Sequence, residues 1–595
     1  MNEKRMMMME GDKEIMKKLD ESTCDAQRLQ LQTLQSILQR NARVGYLQPH
    51  LHHLQASQND DHDNDNDPLT LLHPDTFRRL VPLSSYEDYA HLINRIADGL
   101  DPSSLLSFDP LLCFFYSSGT SSRGPKLIPY FDSPHSKAAS LLAHQGSAAI
   151  LRRLFPPQPT GDKILWFLYA GTVTETKGGF KAMAASAFPF HHNNSNRPSP
   201  ILSMCASPKE VILATTDTHH QMYCHLLCAL RNPDSITAIR APYAIGLIRA
   251  FRILESMWEQ LCEDLQYGSV SPHITHAPMR DAVCTLLGDP QPHLSNRIRV
   301  ILEARQWSGI LPKLWPKARY IACVTTGSMK QYYQKLKFYA GEIPVLGSDY
   351  FASECPVGVN LDRTQPPELT RYVILPTAAY YEFLPFGIDT GVAGETVDIS
   401  GVEIGKEYEV VVTTYRGLFR YRLGDIVRVV GFYNSSPQLE FVMRAPTSTA
   451  EDLTERDLMS AMEHFQIMLR DEAKGEVLEF AGYMDLESNP RHTTIFVEFG
   501  EEGMSLMKEK SVGVLSRWCS FIEECLGGIY KVQRKRGDLG PLVLSIVKPG
   551  SFDGLLLSAV EKGAPANQYK PPKIIRNRWM IDFMEASVVL QATTE

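Results

Sequence analysis

The chain has 595 residues, 44% hydrophobic and 22% charged, the balance of a soluble globular protein with material for a large interior, and roughly three or four domain-sized units. Sixty basic against 68 acidic residues give a net charge of -8 at neutral pH. That removes the broad positive field a polyanion partner needs and sets nucleic acid aside. The eleven cysteines form no CxxC pair or regular framework, and the start MNEKRMMMMEGDKEIMKKLDE lacks the apolar stretch of a secretory signal. No apolar run approaches the ~20 residues of a membrane helix. These features predict reduced thiols in a cytoplasmic protein with no membrane partner.

Residues 25–47 carry Leu29, Leu31, Leu34, Leu38 and Val44 at near-helical spacing, which predicts an amphipathic helix on the main body. The polar, acidic stretch 56–69 predicts an exposed loop. Asp61, Asp63, Asp65 and Asp67 alternate as in a calcium loop, but Asn66 stands where that loop needs Gly and Leu72 where it needs a bidentate Glu. From residue 105, short apolar strands (LLCFFY, KILWFLY, EVVVTTY, DIVRVVGFY) alternate with longer helical runs, an α/β pattern without internal repeats. Ser133 and Pro134 start a helix over 133–154, and apolar spacing predicts two more over 219–231 and 243–266. Near residue 444 an apolar strand passes into a Pro/Thr/Ser linker and an acidic helix start, dividing a large unit (1–444) from a smaller one (445–595).

Two segments carry the chemistry. In CFFYSSGTSSRGPKLIPYF (113–131), an apolar strand runs into a loop where Gly119 and Gly124 allow close backbone approach. Ser117, Ser118, Thr120, Ser121 and Ser122 can donate hydrogen bonds there, and Lys126 can offset negative charge, a combination suited to phosphate. It is not a Walker loop, since Pro125 splits the Gly-Lys pair, and alone it reads equally as a Ser/Gly surface loop. In YRLGDIVRVVGFY (421–433), Gly424 and Asp425 are expected in a turn between two strands, where a carboxylate can take two adjacent hydroxyls of a ribose. Alone, an ordinary hairpin turn is the stronger reading. The histidine pairs His191/His192 and His219/His220 lack an HExxH pattern and point in divergent directions, which speaks against a metal hydrolase.

With WEQLCEDLQYGSV, LWPKARYIACVTTGSMKQYYQKLKFYAG, SDYFASECPVGVN, VILPTAAYYEFLPF and ANQYKPPK, these segments resemble, nearly end to end, the plant auxin-responsive acyl acid-amido synthetases (Gretchen Hagen 3 proteins). These belong to the adenylate-forming, luciferase-like superfamily. The resemblance implies an α/β fold with a large N-terminal domain and a smaller mobile C-terminal α/β domain. It also implies a monomer that uses ATP and Mg2+ to join a small acyl acid, in the jasmonate, auxin or benzoate class, to an amino acid, so controlling hormone level. Ser117, Ser118, Gly119, Thr120, Ser121, Lys126 and Ser353 would then serve the nucleotide phosphates, and Asp425 the ribose. Tyr380 and Tyr381 fall where the family packs an aromatic ring against adenine, with core packing as the alternative. Glu354 falls at the Mg2+ position beside the reacting groups, and Lys570 at the C-terminal catalytic lysine.

Departures from the family pattern are Arg123 and Gly124 in the loop, Lys573 where Arg usually follows the catalytic lysine, and APTSTAEDLTERD in place of a basic, Asn-rich hinge. AMAASAF replaces the usual auxin-pocket run within 171–188, which weakens an auxin assignment. An acyl-CoA ligase and a non-catalytic ligand-binding relative are the competing readings.

Overall fold

Short apolar strands and amphipathic helices build four sheets in this computed structural model, which describes residues 3–50, 73–117, 125–158, 162–192, 200–215, 217–387, 391–392, 394–446, 453–472, 475–500, 512–564, 566 and 569–594. The stretch 56–69 lies outside them. One sheet has the order β2-β1-β5-β4, from β1 (Leu111–Tyr116), β2 (Leu127–Phe131), β4 (Val173–Glu175) and β5 (Lys181–Ala184). A second is wholly parallel, β3-β6-β7-β8, from β3 (Lys163–Trp166), β6 (Ile236–Tyr243), β7 (Tyr320–Val324) and β8 (Val345–Gly347). Parallel strands take helices on their faces, and Leu226, Leu247 and Phe251 from two long helices close over Leu165, Ile239 and Ile321 in one core.

The third sheet is antiparallel, eight strands in the order β13-β12-β14-β15-β16-β11-β10-β9. Its members are β9 (Tyr350–Phe351), β10 (Pro356–Val359), β11 (Tyr372–Ile374), β12 (Tyr380–Gly387), β13 (Gly391–Val392), β14 (Glu407–Thr413), β15 (Tyr421–Tyr433) and β16 (Ser436–Arg444). The fourth, β17-β18-β19-β20, is built from β17 (Val477–Asp485), β18 (His492–Phe499), β19 (Val543–Val547) and β20 (Val588–Thr593), around its own core of Leu458, Phe465, Trp518 and Ile522.

The helix Pro134–Leu154 starts as its sequence specifies, with Ser133 Oγ accepting from the Ser136 amide at 3.3 Å. Helices Thr218–Arg231 and Ala244–Tyr267 also fall where apolar spacing puts them. The first expected helix is shorter, Ala26–Asn41, and Val44 and Leu47 are buried beyond its end. A polar helix, Glu3–Cys24, precedes it without a clear apolar signature. It is held on Pro134–Leu154 by Leu19, which packs on Ala139, Ala143 and Ile150, and by an Asp12–Arg152 ion pair at 2.5 Å. The packing is close: a Cβ at Gly146 would lie 3.0 Å from a Leu19 methyl.

Gly424 and Asp425 do not form a turn. They lie inside the single strand β15, at a register shift where Glu409 of β14 faces Ile426 and Val411 faces Arg422. Gly424 has φ +74, and that left-handed backbone lets β15 absorb extra residues without ending.

The C-terminal unit docks through the buried carboxylate of Glu479 on β17. It accepts from the Tyr332 hydroxyl and, at 3.0 Å, from the Gln331 amide, both on the turn after β7, and it also pairs with Lys573 Nζ. Lys335–Glu476 at 3.1 Å, Arg249–Asp553 at 2.9 Å and Arg456–Glu407 at 2.9 Å surround this contact.

Inside the large sheet, Arg420 pairs with Glu382 at 2.8 Å and donates to the carbonyls of Arg78 and Val81 at 2.6 and 2.8 Å. Both charges are enclosed, the side chains being 8% and 1% exposed. Glu382→Ala strands the guanidinium, and the expected loss is about 3–5 kcal/mol, read as a lower urea midpoint of the large unit.

Candidate active site

The hydroxyl-rich loop opens from the end of β1, and its neck is closed by the Ser117 amide donating to the Lys126 carbonyl at 2.9 Å. Ser118, Gly119, Thr120 and Ser121 lie outside the described residues. Lys126 is half-buried, its ammonium 5.0 Å from the centre of the Tyr86 ring, whose hydroxyl accepts the Leu127 amide at 2.9 Å. Burial lowers the lysine's pKa, while the carboxylates of Glu87 and Glu354 pull it back up.

Ser353, in the turn after β9, donates to the Tyr116 carbonyl at 3.0 Å and ties that turn to the same neck. Glu354 follows and is buried. Burial pushes its carboxyl above the ordinary glutamate value and nearby Asp425 adds to the rise, while Arg444 and Lys126 work against it. Asp425, also buried, has Arg444 Nη1 2.6 Å from Oδ1 and accepts the Tyr350 hydroxyl at Oδ2. A carboxylate offers about four lone-pair positions, so these two partners leave acceptor capacity for further hydroxyls. Ser117, Lys126, Ser353, Glu354 and Asp425 are thereby brought together, with charges of both signs in mutual reach.

Tyr380 and Tyr381 go elsewhere. Tyr380 packs with Leu34, Ile37 and Leu38 and meets Phe77 edge-on at 6.5 Å. Tyr381 donates its hydroxyl to the Pro356 carbonyl at 3.0 Å, and its amide donates to Gln30 Oε1 at 2.6 Å. Exposures of 2% and 0% leave neither ring a free face. Sequence reasoning missed Tyr350 and Arg444. Tyr350 stands in the YFASE run that supplies Glu354, bonds Asp425 and keeps its ring partly exposed between Tyr372 (5.4 Å) and Phe441 (6.1 Å).

Lys570 is not among the carboxylates. Its ammonium lies 4.4 Å from the centre of the Tyr243 ring at the end of β6. That strand end borders the cleft: Tyr243 pairs with Val324 of β7, Thr326 shares a 2.8 Å hydrogen bond with the Tyr372 hydroxyl, and Tyr372 packs on Tyr350. The segment 171–188 also reaches the loop neck. Thr174 Oγ1 is 2.5 Å from the Tyr116 hydroxyl, and Phe188 stands edge-on to Phe115 and Tyr130 at 5.6 and 4.8 Å.

A strand–loop–strand neck facing two buried acids, with a smaller α/β unit presenting a lysine at the cleft border, makes this an α/β protein with a large N-terminal unit and a smaller C-terminal one. Three family models match in succession: the GH3 family N-terminal domain over residues 15–345, the central domain over 372–444 and the C-terminal domain over 456–579. The chain belongs to the GH3 family.

Among its relatives, the probable indole-3-acetic acid-amido synthetase GH3.6 of Oryza sativa subsp. japonica is 51% identical over 404 residues, 66% of this chain and 82% of the relative. The jasmonoyl-L-amino acid synthetase JAR6 of Nicotiana attenuata is 35% identical, covering 97% of this chain and 96% of its own length. The 4-substituted benzoates-glutamate ligase GH3.12 of Arabidopsis thaliana is 32% identical, over 96% and 97%. The solved structure of the GH3.15 acyl acid amido synthetase superposes with a TM-score of 0.83 at 31% identity, covering 98% of this chain and 97% of the other.

Glu354 gives a test of this electrostatic picture. A carboxyl whose folded pKa is raised disfavours folding once ionised, so its contribution to stability is most favourable at acid pH and declines as pH rises through the raised value. Glu354→Gln, neutral at every pH, is expected to unfold at a higher temperature than the parent chain at pH 7. The gap should narrow as pH falls through the carboxylate range, as read by calorimetry.

Proposed function

We propose that this chain is an ATP-dependent acyl acid-amido synthetase that activates a small acyl acid of the jasmonate, auxin or benzoate class as its adenylate and transfers the acyl group to an amino acid. The observation that carries the reading is the convergence of the loop neck at Ser117–Lys126 with Glu354 and Asp425, within a family whose named relatives conjugate each of those acid classes. The product withdraws a free hormone acid, which makes the reaction a control on hormone level. Action as a monomer in the cytoplasm belongs to the same proposal.

In this mechanism Ser117, Ser118, Gly119, Thr120 and Ser121 cradle the ATP phosphates while Lys126 balances their charge. Ser353 fixes the loop neck, Asp425 accepts the ribose hydroxyls, and the partly exposed ring of Tyr350, rather than Tyr380 or Tyr381, takes the adenine face. Glu354 suits Mg2+, which commonly uses one or two carboxylates together with substrate phosphates, and burial gives this carboxyl a need for a cation. When bound, Mg2+ supplies charge neutralisation on the phosphates.

The acyl carboxylate attacks the α-phosphorus and pyrophosphate departs. The amino acid's amine then attacks the acyl carbonyl and AMP departs, its proton passing to solvent. Lys570, carried inward by a swing of the C-terminal unit, stabilises charge at the α-phosphate during the first step. No covalent enzyme intermediate is involved.

The test is acid-dependent exchange of labelled pyrophosphate into ATP with a panel of indole-3-acetate, jasmonate and benzoates. Mass spectrometry of the products then follows, with amino acids and CoA supplied separately. Exchange is expected with at least one acid, and an amide with an amino acid. Lys570→Ala should slow exchange about 10²–10³-fold, and Asp425→Ala should raise KM for ATP about ten- to hundredfold. A thioester in place of the amide would make the chain an acyl-CoA ligase, and absence of exchange with every acid would remove the enzyme reading.

A further inference from the structure

Arg416 sits in the connection between β14 and β15 and is 7% exposed. Its guanidinium carbon lies 5.2 Å from the centre of the Phe115 ring and 5.0 Å from that of Tyr130, two rings stacked at 4.6 Å. These rings sit on the strands either side of the hydroxyl-rich loop, and Phe188 stands edge-on against both.

The lack of a carboxylate partner sets this arginine apart from two other buried ones. Arg420 and Arg363 are matched to Glu382 and Asp349 at 2.8 and 2.5 Å. Among the described residues no carboxylate lies within ion-pair distance of Arg416, and its Nη1 is buried without a hydrogen-bond partner. The groups that face it are Tyr130, Cys355, Glu354 and Cys113, and the one carboxyl among these, Glu354, is itself pushed toward its neutral form by burial. A desolvated cation over aromatic faces gains about 2 kcal/mol, far less than the cost of burying an unpaired guanidinium.

Resting on the synthetase reading above, we propose that Arg416 binds the acyl acid's own carboxylate, with Nη1 as donor, and selects an anionic group on an apolar, ring-compatible body. The rings that carry the guanidinium are the ones Phe188 contacts, at the end of the 171–188 segment, which supplies an apolar wall for such a body. Lys126 already provides a cation for the phosphates at the loop, so Arg416 is assigned to the other reactant. Adenylation joins the carboxylate oxygen to the α-phosphorus as a mixed anhydride, with the bond to pyrophosphate broken, and removes the carboxylate's full charge, which loosens the grip at the point where the acyl group must turn to meet the amine.

The experiment uses the full-length protein and whichever acid of the panel gives the strongest pyrophosphate exchange, with its primary amide as the uncharged probe. Arg416→Met keeps an unbranched, flexible side chain that can pack on the rings and removes the donor. The expected result is a rise of about ten- to hundredfold in KM for the acid, an unchanged KM for ATP, and loss of the thermal-shift preference for acid over amide. The unfolding midpoint should equal or exceed that of the parent, since a buried unpaired charge has been removed. Arg416→Lys, which keeps a cation without the planar fork, is expected to fall between them.

A rise in the ATP KM alone would mean a phosphate takes the guanidinium, and an unaltered acid KM or a lowered unfolding midpoint would mean it only packs the rings. Each of these overturns the assignment while leaving the synthetase reading in place. Failure of the parent protein to exchange with any acid would remove both.

Discussion

The position of the C-terminal unit depends on one buried carboxylate. Glu479 takes Lys573 from its own unit and Tyr332 and Gln331 from the other. Burial alone would push its carboxyl up, but Lys573, Tyr332 and Gln331 together outweigh burial and hold it below the ordinary value, so it is ionised. Because Lys573 belongs to the same unit as Glu479, a swing of that unit does not separate the ion pair. It exchanges two hydrogen bonds from Tyr332 and Gln331, about 1.5–3 kcal/mol each, and the surrounding ion pairs Lys335–Glu476, Arg249–Asp553 and Arg456–Glu407 for water. The pair travels intact, and Lys570, three residues upstream of Lys573, is carried with it. A docked resting position and a mobile catalytic lysine are therefore compatible in the same chain.

The large sheet serves the opposite purpose. Arg420–Glu382, Arg422–Glu409 and Arg444–Asp425 anchor β15 to the sheet around it, and the Gly424 bulge interrupts that run beside the site carboxylate. Bulges re-aim side chains next to functional sites. Asp425 is thus held on a rigid strand, whereas in the proposed mechanism Lys570 arrives from a movable unit, a division that suits the two successive geometries of that mechanism.

Much of this was legible in the sequence where local chemistry decides it. The helix after Ser133 and the helices near 218 and 244 announce themselves by cap and spacing. Glu3–Cys24 was illegible because its hold on the body rests on few residues, Leu19 and Asp12 among them, in a polar stretch. Gly-Asp between two apolar runs looks like a hairpin, and only strand pairing shows one continuous β15. Tyr380 and Tyr381 mislead because β12 is covered on both faces, so alternation does not expose either ring. Tyr350 and Glu479 could not be assigned because their partners lie 75 and 94 residues away.

Glu354 and Arg416 share a property with a few other charges of the fold, Arg240 and Glu498 among them. Each is buried, and burial drives each toward its neutral form, Glu354 upward and Arg416 downward. Arg420 and Glu382, equally buried, are matched within hydrogen-bond distance and satisfy each other. A chain selected for stability alone would replace Glu354 and Arg416 with uncharged residues of the same size, since a well-packed apolar substitute is often neutral or stabilising. Keeping them is the usual signature of a site whose charges are completed by reactants rather than by the protein. The proposed cation and acyl positions thus differ from matched pairs such as Arg420–Glu382, whose charges the protein itself completes.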